Sequence, residues 1–242
     1  MGASEDLKSL SQRGQMKVET CYMCDKPCTS REHVPPRCFF PAQKDLPEGI
    51  DHRKKLMRVP SCNEHNLCTS KDDEYLLVII AAHYQNNQAA YSHYMTKIIR
   101  TFKHSGGLRQ RFFESCFPAT LNGKPTAAIV SETDRVLSEL NKIARGIHYY
   151  HLKQKWLIPN LWIFSPSRLR SAESFYDQLS LKICSEAEKQ IKNKPQHGNN
   201  PDIFYFQVYQ DDPLTMFKMV FYGGFEVFVL DASRPQPNMY AS

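Results

Sequence analysis

CYMC at residues 21–24, REHVPP at 31–36 and SCNEHN at 61–66 decide how this chain is read. Cys21-x-x-Cys24 sets two thiolates on one tight turn, and Cys62-x-x-His65 sets a thiolate and an imidazole on another. Four such ligands close a tetrahedron around zinc with no open position, the arrangement of a structural ion. A redox C-x-x-C wants a βαβ setting, and nothing around Cys21 supplies one. Cys28 and Cys38 stand near enough in the chain to serve as substitute ligands.

Between the two knuckles lie Glu32 and His33, and directly after the second lies Asn66. Carboxylate and amide oxygens suit Mg2+ or Mn2+ better than zinc. An imidazole with its ordinary pKa of about 6.5 accepts a proton from water at neutral pH. A carboxylate, a base and an amide around one hard cation are the parts needed to hydrolyse a phosphodiester. The base activates water while the metal neutralises the phosphate and the departing oxygen. Neighbours on a regular strand face opposite sides, so Glu32 and His33 meet at one cation only where the strand bends. Pro35-Pro36 mark such an ending.

In this order the three runs resemble the HNH endonuclease superfamily, in its zinc-knuckle-containing subtype, whose fold is termed ββα-metal. Cys21 and Cys24 look like the first knuckle, and Glu32-His33-Val34-Pro35-Pro36 looks like the catalytic strand end. Residues 56–60 stand where the second strand would be, 62–65 at the second knuckle, and Asn66 at the closing ligand. The likeness covers residues 18–100. It implies an endonuclease that hydrolyses DNA with His33 as general base and Glu32 and Asn66 holding a catalytic Mg2+ or Mn2+. It also implies a structural Zn2+ on Cys21, Cys24, Cys62 and His65, double-stranded DNA as partner, and a setting in restriction or phage defence. The chain departs from the pattern in three places. Glu32 stands where Asp is frequent, and Asn66 where His is frequent. The middle Asn is missing from Asp51-His52-Arg53-Lys54-Lys55, where Asp51, His52 or a backbone carbonyl would have to orient the catalytic imidazole. Two other readings keep the zinc: a module that binds nucleic acid without cutting it, and a structural zinc domain for protein assembly.

With 242 residues, 41% of them hydrophobic, the chain can bury a core in one or two domains. No run of eighteen apolar residues is present, so no membrane span is expected, and the polar start lacks the apolar core of a signal peptide. Eight cysteines grouped at ligand spacing fit a reducing, cytoplasmic setting better than disulfides. A formal net charge of +6 permits a nucleic-acid partner. The basic residues gather in Arg53-Lys54-Lys55 and, around Ser105-Gly106-Gly107, in Arg100, Lys103, His104, Arg109 and Arg111.

The expected class is α+β. Residues 1–15 read as a flexible start, 16–105 as an HNH-type domain with the zinc site and a long helix, and 106–242 as an appended mixed α/β domain. That last part would serve substrate recognition, a homodimer contact or a regulatory protein partner, and it carries no catalytic motif. Ser70 and Asp73 form a capping-box start for a helix whose body runs over 75–102, with Asp73 and Glu74 as alternative cation ligands. Further helices are expected over 131–146 and 174–192, and strands over 161–164, 203–209, 216–222 and 225–230. Gly223-Gly224 reads as the turn of a hairpin, and 194–201 as a loop.

Overall fold

The computed structural model describes residues 18–66, 70–121, 123–157, 161–167, 174–211 and 214–231. The expected flexible start at 1–15 lies outside the described residues. A bridge between Thr20 and Pro27 closes the loop that carries Cys21 and Cys24. Ser30–His33 (β1) then pairs antiparallel with Arg58–Ser61 (β2), Glu32 opposite Val59 and His33 opposite Arg58. β1 stops at His33; the Val34 amide still donates to the Met57 carbonyl at 3.1 Å, and Pro35-Pro36, without amide hydrogens, end the ladder.

Helices follow: Asn63–Asn66 (α1), Ser70–Ala81 (α2), Gln88–His93 (α3), Ile99–His104 (α4) and Gly106–Glu114 (α5). The single helix expected over 75–102 is therefore broken after α2. Asn87 supplies the reason, because its side chain accepts from the amides of Ala89 and Ala90 and starts a new helix. Gly224 presses on the same break, and a Cβ there would stand 2.4 Å from the Gln85 backbone. A π-helical turn, Tyr94–Ile98, joins α3 to α4.

Cys116–Leu121 (β3) and Lys124–Ile129 (β4) form a hairpin that the hydrophobic pattern did not announce. Thr133–Leu152 (α6) outruns the expected 131–146 and ends at Lys153, in the left-handed region. Gly146 lies inside α6 rather than at its end. A Cβ there would meet Val34 Cγ2 at 2.6 Å, so the glycine is what lets α6 lie against the end of β1.

Leu161–Phe164 (β5), His197–Asn200 (β6), Phe204–Asp211 (β7), Leu214–Phe221 (β8) and Phe225–Asp231 (β9) make an antiparallel sheet ordered β5-β9-β8-β7-β6. Part of the expected loop 194–201 is thus strand β6. Phe221 pairs with Phe225, so the turn holds Tyr222, Gly223 and Gly224, with φ of 49° and 68° at the first two. Side chains alternate strictly across the sheet. Phe217, Met219, Phe221, Val227 and Val229 face the main core, while Met216, Phe228 and Leu230 face Phe175–Ile191 (α7), which offers Cys184, Ala187 and Ile191.

The main core is continuous from Cys21 to Val229 and crosses the expected boundary between residues 105 and 106. Tyr222 donates to the Phe39 carbonyl at 2.7 Å and meets His93 Nδ1 at 2.9 Å, so the final hairpin is anchored in the N-terminal part. The two expected domains do not keep separate cores, because α6 packs on both α2 and β2. The chain is a mixed α+β protein.

Candidate functional site

Cys21 and Cys24 sit on a tight loop, where the Met23 amide points at Cys21 Sγ from 3.4 Å. Cys62 precedes α1, and the amides of His65 and Asn66 both return to its carbonyl, which aims His65 back at the thiolates. All four ligand atoms lie within 4.8 Å of one another. His65 Nδ1 is 3.5 Å from Cys21 Sγ, 3.6 Å from Cys24 Sγ and 3.2 Å from Cys62 Sγ, while the Cys24 and Cys62 sulfurs are 3.9 Å apart. Ordinary zinc bond lengths at a tetrahedral angle give sulfur–sulfur edges of about 3.8 Å and sulfur–nitrogen edges of about 3.5 Å, so the residues present fit the ion. Burial lowers the His65 pKa and keeps the ring neutral, as a ligand must be. Burial pushes the Cys62 thiol up, but the amides of His65 and Glu64 and the two other cysteines outweigh it, and its pKa is lowered. Cys28 instead bonds the Ser30 carbonyl, and neither Cys28 nor Cys38 belongs to the cluster, so neither is a substitute ligand. Lys155, just beyond α6, holds the knuckle by donating to the Cys24 carbonyl at 2.7 Å and to Asp25 at 2.9 Å.

On the inner side of β1, Glu32 is buried, and its two oxygens meet Lys142 Nζ of α6 at 2.7 Å and the Tyr22 hydroxyl at 3.1 Å. Asp73 of α2 and Glu139 of α6 each stand 3.5 Å from the same ammonium. Burial opposes the Lys142 charge, but the three carboxyl groups outweigh it and its pKa is raised. Burial raises the pKa of Glu32 against the pull of Lys142, and raises that of Asp73 likewise. Glu139 is pushed up to about 7, by burial first and with Asp73 adding to it. Asp73 Oδ1 and Glu139 Oε2 are buried, and at 3.5 Å the ammonium makes a hydrogen bond to neither. A cleft of about 520 Å3 opens beside this group, between Met23 and His65 of the knuckle, Leu137, Ser138, Glu139, Asn141 and Lys142 of α6, and Leu161 and Ile163 of β5.

His33, one residue on, faces the other way and is half-buried. Arg58 is its cross-strand partner. Burial lowers its pKa, and Arg58, Arg37 and Arg53 lower it further, so the ring is neutral at pH 7. Arg53 is held in place by its Nε–H bond to the Phe40 carbonyl at 2.9 Å. Asp51, in the stretch lacking the expected Asn, accepts from the Arg53 amide at 2.8 Å. Among the described residues no side chain hydrogen-bonds the His33 ring.

The hard-cation set expected on Glu32, Asn66 and His33 is not gathered at one point. Glu32 is committed to Lys142 and Tyr22, and the Asn66 amide donates to Ser30 Oγ at 2.7 Å. Ser30 and Glu32 share the inner side of β1, and His33 lies on the outer one. These donors do not fit Mg2+ or Mn2+, since an ammonium already occupies the carboxylate. Glu139 and Lys142 were missed because nothing in a helical Glu-x-x-Lys spacing separates them from an ordinary surface pair. The Gly146 that brings them inward was the available signal. Asp73, named as an alternative ligand, does converge with Glu32, but on Lys142.

Comparison with protein-family models, with curated proteins and with solved structures returns no match. Among the described residues no helix is long and apolar enough to cross a membrane.

Proposed function

We propose that this protein hydrolyses phosphodiester bonds of nucleic acid on the outer side of β1, with His33 as general base and Arg37, Arg53 and Arg58 binding the phosphate. DNA is the substrate implied by the resemblance to HNH endonucleases. Water attacks phosphorus, His33 takes its proton, and the bond to the departing sugar oxygen breaks, that oxygen taking a proton from solvent. The guanidiniums hold the phosphate oxygens and offset the charge that grows on them. The observation that carries this reading is a neutral imidazole paired across the strand with one arginine and under the field of two more. The zinc cluster and the strand–strand–helix order around it support the same reading. Zinc-loaded protein, in buffer stripped of other divalent ions, is expected to cut plasmid, and His33→Ala to cut at least about 100-fold more slowly with an unchanged Tm. Equal rates for the two proteins would remove His33 from the chemistry.

Binding without cutting is the second reading, and the engagement of Glu32 by Lys142 favours it. The same assay separates the two: plasmid retarded on a gel but left intact by wild type assigns a binding module.

A further inference from the structure

We propose that the Lys142 ammonium stands in the place of a divalent cation at Glu32, so that this carboxylate takes up no Mg2+ or Mn2+. The inner side of β1 is thereby closed to metal whether or not the proposed chemistry proceeds on the outer side.

Two positions of α6, one turn apart, make the replacement possible. Gly146 lets the helix close on Val34, where a side chain would collide at 2.6 Å. Lys142, four residues earlier, shares that helix face and is delivered to the inner side of β1. There it is buried to 6% exposure, as is Glu32, with Glu139 at 3%. The ammonium takes oxygens from three carboxyl groups, at 2.7 Å from Glu32 and 3.5 Å from Asp73 and Glu139. Oxygens from separate elements converging on one positive charge are what a hard cation asks for. Here the charge belongs to the chain, and a second one cannot enter the same space. Tyr22 donates to the other Glu32 oxygen, so both oxygens of that carboxylate are already engaged inside the core.

The test is a Mn2+ titration read by electron paramagnetic resonance on zinc-loaded full-length protein. Wild type and Glu32→Gln are expected to show no difference in Mn2+ uptake up to about 1 mM, the limit of very weak binding. Uptake by wild type that Glu32→Gln abolishes would overturn the proposal. Lys142→Met is expected to gain a Mn2+ site and to lose it again when Glu32→Gln is added. A folded Lys142→Met that takes up no Mn2+ would equally overturn it. Should Lys142→Met not fold, the wild-type and Glu32→Gln pair still decides. Absence of cutting under every condition would remove the proposed function and leave this result standing.

Discussion

Two sides of one four-residue strand carry opposite electrostatics. Inside β1, three carboxyl groups crowd one ammonium away from water; outside it, the field of three guanidiniums reaches one imidazole that is only half-buried. The contrast follows from desolvation. A buried charge is tolerable only when paired, and breaking such a pair costs about 3–5 kcal/mol. A pair at the surface is worth about 0–1 kcal/mol, so positive charge can accumulate there unpaired and await an anion. The sheet gives a second reference. Among the described residues Lys218, also buried, pairs with two carboxyl groups, Glu188 at 2.7 Å and Glu226 at 2.9 Å. Lys142 carries one carboxyl group more, and Glu139 is raised by burial first, with Asp73 adding to it.

The comparison breaks most completely if the zinc ligands are removed, because both sides of β1 hang from the same knuckles. Structural zinc in small domains contributes on the order of 10 kcal/mol of folding energy. Cys62→Ser is expected to lose zinc together with cooperative melting, followed by metal analysis and circular dichroism. Normal zinc content with normal melting would show that the cluster supports neither side.

A smaller effect sharpens the contrast by its sign. The unfolded chain loses the Glu139 proton near its ordinary value of 4.5, and the folded chain keeps it to about 7. The folded form therefore binds more protons across that window. Its stability is complete at low pH and declines as pH rises through about 7. His33 works in the other direction: its lowered pKa makes the folded form release protons more readily, so stability declines as pH falls below the ordinary 6.5. Glu139→Gln removes the inner cost while Glu32 and Asp73 still balance Lys142. It should be more stable than wild type at pH 8 by on the order of 1–3 kcal/mol, with little gain at pH 5, in urea titrations. Equal gains at both pH values would show that Glu139 holds no extra proton.

The zinc cluster was legible because its information is local: ligand spacing within two short turns fixes it. The last three sheet strands were legible because apolar residues, punctuated by Gly223-Gly224, announce a sheet buried on both sides. The inner side of β1 was not, since Glu32 and Lys142 are far apart in sequence and meet only through the tertiary approach of α6. The break after α2 depended on Asn87 capping forward and on Gly224 pressing from the final hairpin. Neither leaves a periodic trace. The β3–β4 hairpin did carry a signal, Asn122-Gly123, but Pro118 and Pro125 interrupt its two runs and argue against strands there.

The mildest change touches the outer side alone. After burial, Arg58 is the largest influence lowering the His33 pKa, and it is exposed, so its loss leaves no buried partner behind. Arg58→Ala should move the His33 pKa up toward its ordinary value, seen directly in a proton NMR titration. If His33 is the base, the acid limb of the cleavage profile moves the same way, because the protonated ring cannot accept from water. One phosphate contact fewer should also make the salt dependence of duplex binding shallower by about 0.9 in log–log slope. Tm should stay put, in contrast to any change on the inner side. A His33 titration that ignores Arg58 would mean that the field of the outer side does not reach the imidazole, and the division between a stabilising side and a reactive side of β1 would lose its basis.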